Sequence, residues 1–413
     1  MGKAAVNLDV RVDSAGRRAL LGAPNARSER PFARAWFAPP AAVDARGDTA
    51  SRADSATALR LLPSPPRAKR QLGPLQPPTR GVVSRRVAMP AVRGGGARTF
   101  DIALSAGDPS GVGPEVIRSA LRRLPRGARV RVFGDASLAA RLGGGTSFVE
   151  VTRLAAADRR PGRPTRAGGL AQLAYLEAAV REVEAGRAVA LVTAPVSKEG
   201  ITRATGRAFS GHTEWLAARA GRGPDDVAMV FTGGGITVAL ATTHIPLAKV
   251  ARTLRPARIL RVTQLLHAWL RGFDRRRRRA RILVCALNPH AGEGGLVGDE
   301  EARIVAPAVR AARRLLGSGI VGPVPADAAF RIALDRPATG VVALYHDQAT
   351  LPVKLVAFGR SANITLGLPY LRTSVDHGVA YDRAGRGTAQ AGGLVAAIEI
   401  AFRRGERARR DSL

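Results

Sequence analysis

Two textures of hydrophobic and polar positions divide the chain. From Phe100 onward, short apolar runs alternate with turn-rich polar segments. Ile102–Ala106 reads as a buried strand, ended by the turn Gly107-Asp108-Pro109. Pro114 then opens a helical pattern that sets Val116, Ile117, Ala120, Leu121 and Leu124 on one face. Further strands are predicted at Arg129–Phe133, Ala188–Thr193, Val227–Val230, Ile236–Ala241, Arg281–Ala286 and Val341–Tyr345. Helices fit Ala171–Glu184, Trp215–Ala220, Pro256–Leu270, Glu300–Leu316 and Gly392–Phe402. Strands alternating with helices at this spacing predict an α/β protein with a largely parallel sheet and no internal repeat.

In open α/β sheets, ligands bind past the carboxyl ends of strands. The polar motifs follow predicted strands: Gly107–Glu115, Thr242–Pro246, Asn288–Gly295 and His346-Asp347-Gln348. This placement predicts one shared cleft.

Residues 1–98 read differently. They hold 11 of the 27 prolines and 18 basic against 6 acidic residues, a net of +12, with no sustained helical or strand period. Such a composition does not build a core. Three readings compete: a start assigned too early (Met89 is a plausible true start), a disordered basic tail, and a targeting peptide. No apolar stretch of a secretory signal follows the first basic residues. The expected organisation is an Arg/Pro-rich extension over 1–98 and a catalytic region over 99–413.

Composition narrows the classes. The formal net charge is +33, from 65 basic and 32 acidic residues. Only five of the basic residues are lysines (Lys3, Lys69, Lys198, Lys249, Lys354), so 65 − 5 = 60 are arginines. An arginine bias of this kind fits a GC-rich coding sequence as well as a binding surface, and net charge does not speak to fold. Arg275–Arg279 has no interleaved aromatics for base stacking and fits a solvated loop better than a nucleic-acid patch. No apolar run approaches the roughly 20 residues of a membrane span. The single cysteine, Cys285, excludes an intramolecular disulfide, and a reducing, cytoplasmic setting is expected.

Six histidines carry the candidate chemistry. His267 falls on a helical pattern and is expected to be a partly exposed helix residue. The other five, His212, His244, His290, His346 and His377, lie in Gly-rich or polar turns. Neutral imidazole is the commonest metal ligand. His244, His290 and His346 are 46 and 56 residues apart, without a local ligand spacing. Spacing alone therefore leaves hydrogen-bonded loop histidines ahead of a three-histidine metal site. Gly107–Glu115 (GDPSGVGPE) contains Gly111-x-Gly113 but no third glycine at Rossmann spacing. A tight strand-to-helix turn explains it better than an anion-binding helix start. Lys354 stands out because lysine is rare; with Arg372 it pairs a point charge with a bidentate fork, suited to phosphate or carboxylate.

Nine ordered blocks over residues 101–405 resemble the 4-hydroxythreonine-4-phosphate dehydrogenase family of vitamin B6 biosynthesis. They are GDPSGVGPE (107–115), VTAPVSKEGI (192–201), FSGHTEWLA (209–217), TTHIPL (242–247), LNPHAGEGG (287–295), GPVPAD (322–327), YHDQ (345–348), NITLGLPYLRTSVDHG (363–378) and AGRG (384–387). The resemblance implies an isocitrate/isopropylmalate dehydrogenase-like fold, with two α/β subdomains around a central cleft and no Rossmann domain. It implies a divalent metal (zinc, magnesium or cobalt) on His244, His290 and His346. Substrate contacts are implied at His212, Thr213, Lys354, Asn363 and Arg372. It also implies a homodimer whose active sites take ligands from both chains. The run His377–Gly387 is similar to the adenosine-binding loop of the isocitrate and isopropylmalate enzymes, which implies NAD or NADP held by His377, Gly378, Asp382 and Gly385.

The implied reaction oxidises the alcohol of 4-phosphooxy-L-threonine, then releases carbon dioxide to leave 3-amino-2-oxopropyl phosphate. Asp327 and Asp347 are candidates for proton transfer or for orienting the metal histidines. The sequence departs from the family pattern at Leu296-Val297, Ala349-Thr350 and Tyr381, the last in place of a usual aliphatic residue. An alternative is therefore the paralogous dehydrogenase of 4-phospho-D-erythronate or D-threonate. A basic nucleic-acid-binding protein is the alternative of another class; neither nucleic acid nor membrane is an expected partner.

Overall fold

The computed structural model describes residues 101–139, 142, 146–273, 280–336 and 338–410. The extension 1–98 and the run Arg275–Arg279 lie outside the described residues.

Eleven strands form one mixed sheet. They are β1 (Asp101–Ser105), β2 (Arg129–Asp135), β3 (Thr146–Thr152), β4 (Ala188–Thr193), β5 (Ala228–Gly233), β6 (Ile236–Leu240), β7 (Arg281–Cys285), β8 (Ile320–Val324), β9 (Thr339–Ala343), β10 (Ala362–Leu366) and β11 (Leu371–Val375). Their spatial order is β3-β2-β1-β4-β11-β10-β5-β6-β9-β7-β8. The helices are α1 (Gly113–Leu121), α2 (Ala136–Ala139), α3 (Arg166–Glu184), α4 (Lys198–Thr205), α5 (His212–Arg219), α6 (Val250–Thr253), α7 (Pro256–Phe273), α8 (Ala306–Leu316), α9 (Ala326–Asp335), α10 (His346–Ala357) and α11 (Gly392–Arg410).

The sheet is parallel on both flanks and antiparallel at its centre. β3, β2, β1, β4 and β11 run together, as do β6, β9, β7 and β8. Between them β10 pairs antiparallel with both β11 and β5, and β5 pairs antiparallel with β6. The two parallel groups therefore run in opposite directions. The uniformly parallel sheet expected from the hydrophobic pattern holds only within each group. The departure comes from two hairpins, β10–β11 across the turn 367–370 and β5–β6 across 234–235, whose short turns only antiparallel pairs permit.

Helices cover both faces, as the apolar runs require. On β1, Ile102 and Leu104 pack with Ile117 of α1 and Leu394 of α11, while Ala103 between them packs with Leu176 and Val180 of α3. On β7 the same alternation sends Ile282 and Val284 toward α7 and α8, and Leu283 and Cys285 toward Phe330 of α9 and Val353 of α10. Burial pushes the Cys285 thiol up to about 12, so it is a core residue and not a nucleophile. His267 is buried in α7, more than the helical pattern suggested; burial holds its imidazole below the usual value. No helix among the described residues is long and apolar enough to cross a membrane.

Candidate active site

An open cleft of roughly 310 Å³ lies where the antiparallel centre of the sheet meets its flanks. Its floor is Arg372 on β11, only 3% exposed. The neighbouring strands supply hydroxyls in place of carboxylates. Arg372 donates from Nε and Nη2 to Thr193 Oγ1 on β4, at 3.2 and 2.7 Å, and from Nη1 to Thr365 Oγ1 on β10, at 3.0 Å. Burial pushes its guanidinium down to about 10, so it remains a cation at neutral pH. Its hydrogen-bond partners are neutral hydroxyls, and the Glu214 carboxylate of the same cleft offsets only part of the effect of burial, so the guanidinium suits an anionic ligand.

Around this floor stand groups with free hydrogen-bonding capacity. Gly211 precedes α5, so His212 and Thr213 open that helix at the cleft wall. Burial, with Arg372 and Lys198 nearby, holds His212 well below its usual value, and the ring is neutral. His212 Nε2, Asn363 Oδ1 on β10 and His377 Nε2 after β11 are all buried without a hydrogen-bond partner among the described residues. Buried polar atoms are normally paired, so three such atoms around one cleft mark a binding surface.

The histidines reach the cleft from the opposite flank. Thr242, after β6, donates from Oγ1 to Leu344 O after β9 at 2.7 Å, which ties the two strand ends together. His244 and His346 follow these points, and their rings lie 5.4 Å apart at 43°. Gln348 fixes the second loop by accepting from Leu344 N at 2.7 Å and donating to Ala286 O at 2.8 Å. His346 Nδ1 is 2.8 Å from Asp347 Oδ1, an orienting contact typical beside metal-binding imidazoles. Burial first, then Lys198 and His346, hold His244 below its usual value. A neutral imidazole is the form a metal requires.

His290 stands apart from this pair. It is 79% exposed, and Glu293 Oε2 is 4.0 Å from its Nδ1. It belongs to a run, 290–295, in the left-handed backbone region, which includes the non-glycine residues His290, Ala291 and Glu293. Such a run persists only when its surroundings fix it. Glu301 ties down the segment that enters it: buried, it accepts from Leu287 N and Asn288 N at 2.7 and 2.8 Å and from Asn288 Nδ2 at 2.9 Å. Among the described residues of one chain, no three His, Cys, Asp or Glu side chains cluster to hold a metal ion.

The sequence-predicted residues thus divide. His212, Thr213, Asn363, Arg372, His377, Gly378, His244 and His346 line one cleft. His290 and the exposed Lys354, Asp327, Asp382 and Gly385 are not among its lining residues, and Asp347 touches it only through His346. Lys198, at the start of α4, does line it and was not singled out by the sequence reading. Its signal was available: it is one of three lysines among residues 99–413.

The glycine-rich motif finds its partner outside the cleft. Val112 N donates to Val379 O at 2.9 Å, Gly387 N to Glu115 Oε2 at 2.9 Å, and Tyr381 Oη to Asp108 Oδ2 at 2.6 Å. A Cβ at Gly111 would sit 2.9 Å from Val379 O, and one at Gly113 would sit 2.8 Å from Ala106 O. Close approach, more than backbone angle, therefore requires these two glycines. GDPSGVGPE is the seat of the 377–387 loop, and Tyr381 anchors that loop onto buried Asp108.

Most of the chain resembles known proteins. Residues 115–401 match the family model described as pyridoxal phosphate biosynthetic protein PdxA. A 4-hydroxythreonine-4-phosphate dehydrogenase of Geobacter metallireducens is 42% identical over 324 residues, covering 73% of this chain and 94% of that protein. The crystal structure of a 4-hydroxythreonine-4-phosphate dehydrogenase from Klebsiella pneumoniae superposes with a TM-score of 0.64 at 35% identity, over 74% of this chain and 99% of that one. A terephthalate 1,2-cis-dihydrodiol dehydrogenase from Burkholderia xenovorans is also similar, at 31% identity and a TM-score of 0.53, over 74% of this chain and 98% of that one. With a family model matched over residues 115–401 and relatives above 40% identity across most of their length, the chain belongs to the PdxA family of pyridoxal phosphate biosynthetic proteins.

Proposed function

We propose that this protein oxidises 4-phosphooxy-L-threonine with NAD or NADP and releases carbon dioxide, leaving 3-amino-2-oxopropyl phosphate. The observation that carries the reading is the buried Arg372, hydrogen-bonded to the Thr193 and Thr365 hydroxyls, in one cleft with the unpartnered polar atoms of His212 and Asn363. That pocket suits a phosphorylated substrate, and the His244–His346 pair borders the same cleft. The relatives' names supply the substrate class.

Each residue has a part in this chemistry. Arg372, His212, Thr213 and Asn363 bind and orient the anionic end of the substrate. Neutral His212 donates from one ring nitrogen only, so it positions an oxygen without adding charge. His244 and His346 would hold a divalent metal (zinc, magnesium or cobalt), with Asp347 fixing the His346 ring. Such a metal lowers the pKa of a bound alcohol and polarises the resulting carbonyl. The nicotinamide cofactor supplies the hydride acceptor. The 377–387 loop would hold its adenosine end, through His377, Gly378, Asp382 and Gly385, with Tyr381 locking the loop in place.

His290 completes the metal site from a second subunit in this reading. Each histidine loop is followed by exposed apolar side chains: Leu247 (70%), Leu296 (86%), and on α10 Leu351, Leu355 and Phe358. Exposed large apolar residues beside the candidate ligands fit an interface between copies. Lys354 lies on the same helix and would reach the neighbouring site.

The test is reduced-cofactor formation by metal-loaded protein with 4-phosphooxy-L-threonine, against 4-phospho-D-erythronate and 4-phospho-D-threonate. Turnover confined to the first substrate is expected. Turnover confined to the sugar acids would overturn the substrate assignment, and none with any of them the dehydrogenase reading.

A further inference from the structure

Gln172 is a buried residue of α3, 1% exposed and not among the cleft's lining residues, and the reaction above gives it no role. Both ends of its amide are engaged. Nε2 donates to Asp108 Oδ2 at 2.8 Å, and Oε1 accepts from Ser197 N at 2.7 Å. A buried amide satisfied at both ends ties together the two segments that meet it.

Those segments serve the two halves of the site. Asp108, also 1% exposed, is the anchor of the 377–387 loop: its Oδ2 accepts from Tyr381 Oη as well as from Gln172, and its Oδ1 accepts from Ser110 N at 2.8 Å. Ser197 sits in the cleft wall, between the lining residues Val196 and Lys198. Its hydroxyl caps α4 by accepting from Gly200 N at 2.9 Å, and its backbone N–H is the group that Gln172 holds. Asp108 N adds a second tie by donating to Pro195 O at 2.8 Å. The wall in turn places Lys198. A Cβ at Gly211 would fall 3.1 Å from Lys198 Cε and 3.4 Å from Nζ. The ammonium therefore lies against the residue that precedes His212 and Thr213, at the end of the cleft assigned to phosphate.

We propose that Gln172 is a positioning residue for both ligands: it holds the Ser197 turn, and with it Lys198, at the phosphate end, and it steadies Asp108 under the cofactor loop. The role rests on the reading above for the identity of the two ligands, and on the hydrogen bonds for its place. Gln172 reaches the cleft wall directly and the loop through Tyr381. The two effects therefore have different signatures.

The test titrates metal-loaded wild type, Gln172→Met, Gln172→Glu, Tyr381→Phe and the Gln172→Met/Tyr381→Phe double variant with inorganic phosphate and with NAD by calorimetry, beside thermal melting. Gln172→Met should weaken phosphate binding about 3- to 10-fold, the scale of one hydrogen bond. Gln172→Glu keeps an oxygen for Ser197 N, and its other oxygen can share a proton with Asp108, whose carboxyl burial holds above its usual range. Its phosphate affinity should stay within about twofold of wild type. Gln172→Met should weaken NAD about 2- to 5-fold, yet add less than about twofold once Tyr381 is replaced. A bond that serves stability alone would lower the melting temperature of Gln172→Met and leave both affinities unchanged, which overturns the proposal. Equal loss of phosphate affinity in Gln172→Glu and Gln172→Met overturns the role of the Ser197 bond. Full multiplication of the NAD effects in the double variant overturns the path through Tyr381. These affinities are read without turnover. Wild type that binds both ligands but oxidises no substrate would sink the proposed reaction and leave Gln172 to be judged on binding; wild type that binds neither would overturn both.

Discussion

Replacing Arg372 by methionine separates what this residue does for binding from what it does to stability. A guanidinium pushed by burial from its ordinary value down to about 10 carries a folding cost of roughly 3 kcal/mol. The folded state holds that proton less tightly than the unfolded chain does. The cost is therefore present at every pH below about 10 and fades only as pH rises above it. Methionine removes it. Against this, three hydrogen bonds to Thr193 and Thr365 are lost, at about 1 kcal/mol each. The two sums nearly cancel, so the unliganded variant should melt within a few degrees of wild type, with the same difference from neutral to mildly alkaline pH. Binding behaves otherwise. Losing one partner of a buried charge pair costs about 2–5 kcal/mol, which is roughly 30- to 4,000-fold in kcat/KM. Phosphate should raise the melting temperature of wild type and leave that of Arg372→Met unmoved. The assays are thermal melting with and without phosphate, and steady-state kinetics. A variant that is strongly destabilised yet still stabilised by phosphate would refute the reasoning, because Arg372 would then be a structural cation.

Other outcomes follow from the same geometry. Tyr381→Phe removes the 2.6 Å bond to Asp108, and should raise the KM for NAD about 3- to 10-fold while leaving the KM for substrate unchanged; equal changes in both would contradict the loop assignment. Asp347→Asn should lower metal affinity about 10- to 100-fold through the His346 ring, as read by metal titration.

Much of the fold was legible because buried parallel strands leave continuous apolar runs. Ala188–Thr193 was predicted to the residue, and the remaining predicted strands overlap observed ones. β10 and β11 were not drawn as a pair, since Asn363, Arg372 and Thr373 interrupt their apolar pattern. Those polar residues serve the cleft or its surroundings, so the strand signal was weakest where the site is built. β3 was missed because it pairs only with β2 and none of its residues is fully buried, which removes the apolar alternation. For the site, motif blocks located eight cleft-lining residues, but spacing could not reveal that His244 and His346 meet while His290 lies apart. That relation depends on Thr242 and Gln348 bridging separate strand ends, contacts between residues some 60 to 100 positions apart.

Completion of one catalytic centre by two chains is tested most directly by subunit mixing. His244→Ala and His290→Ala variants, each inactive alone, are unfolded together and refolded in equal amounts, then assayed for NADH formation with metal and 4-phosphooxy-L-threonine. If His244 of one subunit works with His290 of another, each mixed dimer regains one intact site. With half of the dimers mixed, activity should recover to about 25% of wild type under two-fold symmetry. A mixture that stays inactive while the wild-type control refolds to full activity would contradict the shared centre.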